Sequence, residues 1–220
     1  MKKLVQGIVD FRRGLTKESR ELFSKLALGQ KPDALFIGCS DSRVAPNVFA
    51  STNPGDLFVM RNIGNLVPPA TCSSEETCVP AAIEFSVCTL KVSDIIVCGH
   101  SECGAINALM HGIDSTCCSH LISWLRYAQE ALNRRSQGFV INPELSDINQ
   151  VSQINVLLQM EHILSYPCVQ DRVQSKQLRI HGWWFDIAQA DVYCYEKSLN
   201  QYVLIDEQES KVILSRICSK

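Results

Sequence analysis

The sequence predicts an α/β fold: a mostly parallel central sheet flanked by helices, with an N-terminal helical arm. Three observations predict it. Short apolar runs, such as Ala34-Leu-Phe-Ile-Gly-Cys39 and Asp94-Ile-Ile-Val-Cys-Gly-His100, alternate with stretches of helical periodicity. These runs are nearly continuous in apolar residues, as strands covered on both faces must be. Cys39 and His100 close two of them, and open α/β sheets carry their sites at that carboxyl edge.

The elements follow in order. Residues 1–29 form the arm: Leu4, Ile8, Phe11 and Leu15 share a helical face, and the pattern breaks near Gly14. Helical spacing resumes over 19–28, and Gly29 stops it. Residues 34–39 are the first strand. Residues 56–61 are the second, entered through the Pro54-Gly55 turn. Residues 79–89 read as a largely buried helix. A third strand spans 94–100, and a helix spans 102–111 and ends at Gly112. The most polar stretch, 136–152, reads as a loop between two helices. Residues 177–183 form a fourth strand, and 192–195 with 202–205 add a terminal meander or hairpin. No repeat, low-complexity segment or linker divides the chain, so one domain over residues 1–220 is expected.

Composition narrows the partners. The net charge is −2 with no strongly basic stretch, so no nucleic acid partner is expected. No apolar run approaches the roughly 20 residues that span a bilayer, so no membrane partner is expected either. The start, Met-Lys-Lys-Leu-Val, opens like a secretion leader, but Asp10, Arg12 and Arg13 interrupt the apolar region too early. Eleven cysteines, an odd number without regular spacing, argue against a disulfide framework and for the cytoplasm. Cys88 and Cys98 lie in apolar runs and are expected to be buried. Cys72 and Cys78 bracket a polar loop and are expected as free thiols. Cys117-Cys118 with His120 is not expected to hold a metal, because adjacent cysteines chelate one ion poorly.

The chemistry lies in two short motifs, Cys39-Ser-Asp41-Ser-Arg43 and Gly99-His100-Ser-Glu-Cys103. Cys39, His100 and Cys103 offer two thiolates and one imidazole, which is a zinc ligand set. Three protein ligands leave a tetrahedral ion one open position, the arrangement of catalytic zinc. Cys103 is expected in the first turn of the helix after His100, where the helix N-terminus favours a thiolate. Two thiolates cancel the ion's charge, so its water is less acidic than at a three-histidine site. Asp41 is the carboxylate that accepts the proton of the hydroxide in a hydrogen bond and aims it. Arg43 holds Asp41 ionised through a charge-assisted contact. Asp41 swung onto the metal would be a fourth ligand and close the site, and it is expected to stay on Arg43 instead. His111 and His120 are shuttle candidates by residue type only, and neither is assigned.

These motifs resemble the β-class carbonic anhydrases over about residues 27–205. So do Pro54-Gly-Asp-Leu-Phe-Val59, Arg61-Asn-Ile-Gly-Asn65, Ala81-Ala-Ile-Glu-Phe85 and His181-Gly-Trp183. The resemblance implies reversible hydration of carbon dioxide to bicarbonate and a proton, by hydroxide on one Zn²⁺ per chain. It implies a homodimer or a dimer of dimers, with the pocket lined from two chains. It also implies substrate-binding roles for Gln30, Phe58, Ile63, Phe85 and Gly104. Gln30 matches a glutamine that donates to bicarbonate in the plant-like branch, and Phe58 and Ile63 match apolar walls. Phe85 stands where tyrosine is usual, and Gly104 gives the backbone room to approach substrate. A second branch binds a regulatory bicarbonate through Trp, Arg and Tyr at the positions of Phe36, Arg61 and Phe185. Only Arg61 remains here, so the plant-like branch and weak bicarbonate regulation are expected. Two alternatives stay open: turnover of CS₂ or COS at the same site, and a zinc-stabilised scaffold or thiol sensor.

Overall fold

The computed structural model describes residues 1–72, 76–114, 116 and 118–218. The arm is two helices, α1 (Lys2–Gly14) and α2 (Lys17–Leu26). Thr16 caps α2, its Oγ1 accepting from the Ser19 N–H at 3.2 Å. Neither helix buries a residue, and Leu4, Ile8 and Phe11 of α1 lie exposed on one face.

The body follows in order: β1 (Ala34–Cys39), α3 (Pro46–Phe49), β2 (Leu57–Asn62), α4 (Cys78–Glu84), β3 (Asp94–His100), α5 (Gly104–His111), α6 (Ser119–Leu125) and α7 (Gln129–Ser136). Then come α8 (Asp147–Leu164), α9 (Pro167–Gln174), β4 (Arg179–Asp186), β5 (Asp191–Glu196), β6 (Gln201–Leu204) and α10 (Glu207–Cys218). The sheet order is β2-β1-β3-β4-β5-β6. The first four strands are parallel, and β5 and β6 extend the sheet as antiparallel strands. The chain leaves β1 for β2 on one side and returns to β3 on the other. The strand order therefore reverses between β1 and β3, and a crevice forms beyond their carboxyl ends.

Burial follows the two-residue period of the strands. Leu35, Ile37, Ile95 and Val97 pack against Ile83, Val87, Val156, Ile163 and Val169. Ala34, Phe36, Ile96 and Cys98 point to the other face and meet Val44, Phe49 and Phe185. Helix α8 lies close against the sheet because Gly99 has no side chain: a Cβ there would sit 2.7 Å from Val156 Cγ2.

Several expectations need correction. The polar stretch 136–152 is a loop only in part, because its last six residues start α8. That helix is buried on several sides, and Gln150, Ser152, Gln153, Asn155 and Gln159 are among its buried residues. Three of these side chains reach backbone groups of neighbouring segments, which makes their burial tolerable. Asn155 Nδ2 donates to Gly64 O at 3.1 Å, Gln159 Nε2 to Tyr127 O at 3.1 Å, and Ser152 Oγ to His100 O at 2.8 Å. The 79–89 helix is half buried: α4 passes into a π-helical turn, Phe85–Thr89. The wider turn changes which residues face the core, and Phe85 and Cys88 are exposed. Cys98 is buried as expected, and Cys72, Cys78 and Cys88 carry free thiols. Cys117 lies outside the described residues.

Candidate metal centre and active site

Cys39 is the last residue of β1 and His100 the last of β3, so adjacent strands deliver both to the crevice. Cys103 follows one turn of chain later. It is the N-cap of α5, with extended backbone angles of φ −70° and ψ 117°, rather than a residue of the first helical turn. The reason is Glu102, whose φ of 52° swings the chain round before the helix begins. The ligand atoms of Cys39, His100 and Cys103 all lie within 4.8 Å of one another, and all three residues are buried.

The set fits a zinc ion on the chemistry of its donors. His100 Nδ1 lies 2.9 Å from Ser101 O and donates its proton there, which leaves the Nε2 lone pair free for a metal. That buried Nε2 has no hydrogen-bond partner, as a metal-ligating nitrogen should. The Cys39 thiol is pulled well below the usual thiol range, first by its contact with the Cys103 thiol. His100 and the Gly64 N–H, 3.4 Å from Sγ, add to this against the opposing effect of burial. Cys103 is pushed up, because it shares a proton with Cys39 and is itself buried. A cation held by Cys39 and Cys103 would take over the role of that shared proton.

Asp41 and Arg43 stand beside the ligands. Asp41 Oδ2 is 3.9 Å from His100 Nε2. The Arg43 guanidinium donates to both carboxylate oxygens, from Nε at 2.9 Å and from Nη2 at 2.7 Å. Those hydrogen bonds hold the Asp41 carboxyl well below the usual carboxylate range. Arg61 braces the loop from beneath. Its Nε and Nη2 donate to Cys39 O at 2.9 and 2.8 Å, and Nη2 reaches Asp41 O at 2.7 Å. Sequence matching gave Arg61 only an anion-binding meaning, whereas its side chain holds the ligand loop. Phe36 and Phe185 are buried, and Phe49 stacks on Phe185 at 4.8 Å between ring centroids.

The remaining site residues separate into two groups. Ile63 and Gly104 lie at the carboxyl edge: Ile63 directly follows β2, and Gly104 follows a ligand. A Cβ at Gly104 would meet nothing within 4 Å. Gln30, Phe58 and Phe85 are not brought to this centre. Gln30 precedes β1, and the six residues from Ala34 to Cys39 span roughly 16 Å of strand. Phe58 sits level with Leu35, four residues before the ligand edge, and its ring lies 5.7 Å from Phe85. Phe85 is 42% exposed and Ile63 45% exposed, so neither is ordinary core. His111 closes α5 and is exposed, its Nδ1 lying 3.0 Å from Asn107 O.

Comparison with known proteins follows the same lines. A family model described as carbonic anhydrase matches residues 34–192. A carbonic anhydrase of Synechocystis sp. is 36% identical over 205 residues, covering 92% of this chain and 74% of that protein. One from Pseudomonas aeruginosa is 34% identical over 210 residues, covering 94% of this chain and 93% of that protein. The solved β-carbonic anhydrase CcaA superposes with a TM-score of 0.86 at 32% identity, over 94% of this chain and 93% of that one. A tetrameric β-carbonic anhydrase of Sordaria macrospora gives 0.75 at 29% identity, over 88% of this chain and 95% of that one.

Proposed function

The chain belongs to the β-class carbonic anhydrases, and on that premise we propose how its residues hydrate carbon dioxide reversibly to bicarbonate and a proton. The observation that carries the reading is the buried Cys39, His100 and Cys103 set with the Asp41 carboxylate 3.9 Å from the His100 ligand nitrogen. One zinc per chain, when bound there, is a Lewis acid that makes a hydroxide nucleophile available near neutral pH.

Asp41 accepts a hydrogen bond from the attacking water and turns its lone pair toward carbon dioxide. It can do so because Arg43 keeps it ionised and holds it in place. Held there, Asp41 is also kept from becoming a fourth ligand. Ile63 offers apolar surface to a nonpolar substrate. The open space at Gly104 admits the substrate to the backbone beside Cys103.

Gln30, Phe58 and Phe85 belong to the pocket of a partner subunit in this reading. They sit toward the opposite edge of the sheet from their own ligands, and Phe85 presents an exposed ring. A homodimer, alone or as a dimer of dimers, places that edge against a second metal centre. The exposed apolar face of α1, with Leu4, Ile8 and Phe11, supports such a partner. The whole chain then works as one domain with its arm serving assembly. Assignment to the plant-like branch is supported by the Phe36, Phe49 and Phe185 cluster, which offers no polar group for a regulatory anion. A reducing cytoplasmic setting is supported by the free thiols of Cys72, Cys78 and Cys88. No helix among the described residues is long and apolar enough to cross a membrane.

Stopped-flow hydration of carbon dioxide over about pH 6.5 to 9, on protein with zinc quantified, tests the reading. Fast turnover that rises smoothly with pH is expected. Full zinc occupancy without turnover of carbon dioxide would overturn it, and turnover of CS₂ by that same protein would replace it.

A further inference from the structure

We infer that Asn149 and Glu102 form a clamp that sets the aim of the Arg43–Asp41 pair, which makes Asn149 a positioning residue for the reaction. The inference rests on the roles of Asp41 and Arg43 proposed above, and it starts from a strained residue. Glu102 lies between two ligands, His100 and Cys103, and the chain must reverse there within three residues. It does so with φ at 52°, a left-handed conformation that glycine takes freely and glutamate does not. Something must hold it.

Asn149, in the first turn of α8, grips Glu102 at two points. Its Oδ1 accepts from the Glu102 N–H at 2.8 Å, and its Nδ2 donates to Glu102 Oε1 at 3.1 Å. With its amide fixed, Glu102 presents its carbonyl to the neighbouring loop, where Arg43 Nη2 donates to it at 3.0 Å. The same Nη2 donates to Asp41 Oδ2 at 2.7 Å. A continuous relay of hydrogen bonds thus runs from Asn149 through Glu102 and Arg43 to Asp41.

Two features make the relay necessary. The Arg43 side chain is 47% exposed, so water competes for its donors, and the Asp41 contact alone does not fix the direction of the pair. Helix α8, by contrast, is anchored in the core, and one turn further on its Ser152 hydroxyl donates to His100 O at 2.8 Å. One rigid element therefore holds the carbonyl of a ligand and the anchor of the pair that works beside it. Asparagine suits the position because it carries one donor and one acceptor in a fixed plane.

The test compares Asn149→Ala, Glu102→Gly and the double variant. Asn149→Ala is expected to keep zinc and lose roughly tenfold in kcat, as partners behind a metal site do. Glu102→Gly alone loses the Oε1 contact and is expected to lose less than Asn149→Ala, since backbone N–H and C=O remain and the left-handed angle costs glycine little. The double variant is expected to recover most of the loss. A packing role for Asn149 would give no such recovery. A second readout is exchange of the Arg43 Nε–H proton with water, followed by NMR on the zinc-bound protein. Exchange should quicken in Asn149→Ala and slow again in the double variant.

Should Asn149→Ala not fold, a donor-acceptor swap tests the same point. Asn149→Asp sets two carboxylates against each other and should lower kcat, and adding Glu102→Gln should restore it. Parent turnover and parent exchange in Asn149→Ala, or impaired Asn149→Asp without restoration, would overturn the clamp. The pair's own role is separable: an Asp41→Asn protein that keeps full turnover removes that role whatever Asn149 does.

Discussion

Asp41 and Arg43, two residues apart, are joined by three hydrogen bonds: two from the guanidinium and one from the Arg43 backbone N–H to Asp41 Oδ1 at 3.0 Å. A turn closed by the Val44 N–H on Asp41 O at 3.0 Å brings them face to face. The fork of donors matches the carboxylate, and the carboxylate keeps its charge. Asp41→Asn retains the shape but not the charge. Turnover should fall by roughly a hundredfold or more, as for loss of a positioned proton acceptor, at unchanged zinc content. Arg43→Lys cannot reproduce the fork and should cost turnover also. Stopped-flow rates beside metal analysis check both, and loss of zinc in step with activity would count against the assignment.

Arg61 has little left to offer an anion. Its Nε and Nη2 are turned to Cys39 O and Asp41 O, and the Phe36 and Phe185 rings carry no polar group. The rate of bicarbonate dehydration should therefore rise hyperbolically with bicarbonate concentration. A sigmoidal curve would show a regulatory site that these residues do not supply. Arg61→Ala should loosen the ligand loop instead, weakening zinc by about tenfold in a chelator competition.

Much of this centre was legible in the sequence. Both ligand strands were, because their apolar runs close on Cys39 and His100, two metal-ligating residue types at the carboxyl edge of the sheet. The distortions were not. Cys103 was expected inside a helix, since nothing in the letters announces the left-handed turn at Glu102. The first turns of helix α8 were hidden because Asp147, Asn149, Gln150 and Ser152 are polar, the usual mark of a surface loop. Asn149 and Ser152 find backbone groups far away in sequence, at Glu102 and His100, which only the folded chain brings near. Cys88 was misplaced because one π-helical turn redirects the residues that follow α4.

Asp94 at the start of β3 makes a second prediction about charge, this time for stability. Burial pushes its carboxyl up, but hydrogen bonds with His181, Arg179 and Ser93 outweigh that and leave it well below the usual range. Arg179 donates from Nε at 2.7 Å and from Nη2 at 2.6 Å, and His181 Nε2 lies at 2.8 Å. A carboxyl lowered on folding stabilises the protein fully above its unfolded pKa of about 3.9 and progressively less as pH falls toward the folded value. Asp94→Asn should therefore destabilise near neutrality by about 2 kcal/mol. The gap to the parent should begin to narrow below about pH 5 and keep narrowing as pH falls past the unfolded pKa toward the lower folded value. Urea unfolding at several pH values measures it, and a gap that stays constant with pH would assign the loss to packing.

The last prediction concerns where Gln30 acts. It precedes β1, at the opposite end of that strand from Cys39, so within one chain it is remote from Asp41. If it serves the partner's pocket, two defective variants can repair each other. Gln30→Ala homodimers lack the glutamine at both sites, and Asp41→Asn homodimers lack the carboxylate at both. In a mixed dimer, one site draws Asp41 from the first chain and Gln30 from the second, so it is complete, while the other site lacks both. Random assortment of equal amounts makes half the dimers mixed, so about a quarter of all sites should regain parent activity. Co-expression with two purification tags isolates the mixed dimer, in which half the sites should work. Had Gln30 acted within its own chain, every site in the mixed dimer would carry one defect. Its activity would then be no more than the mean of the two parents.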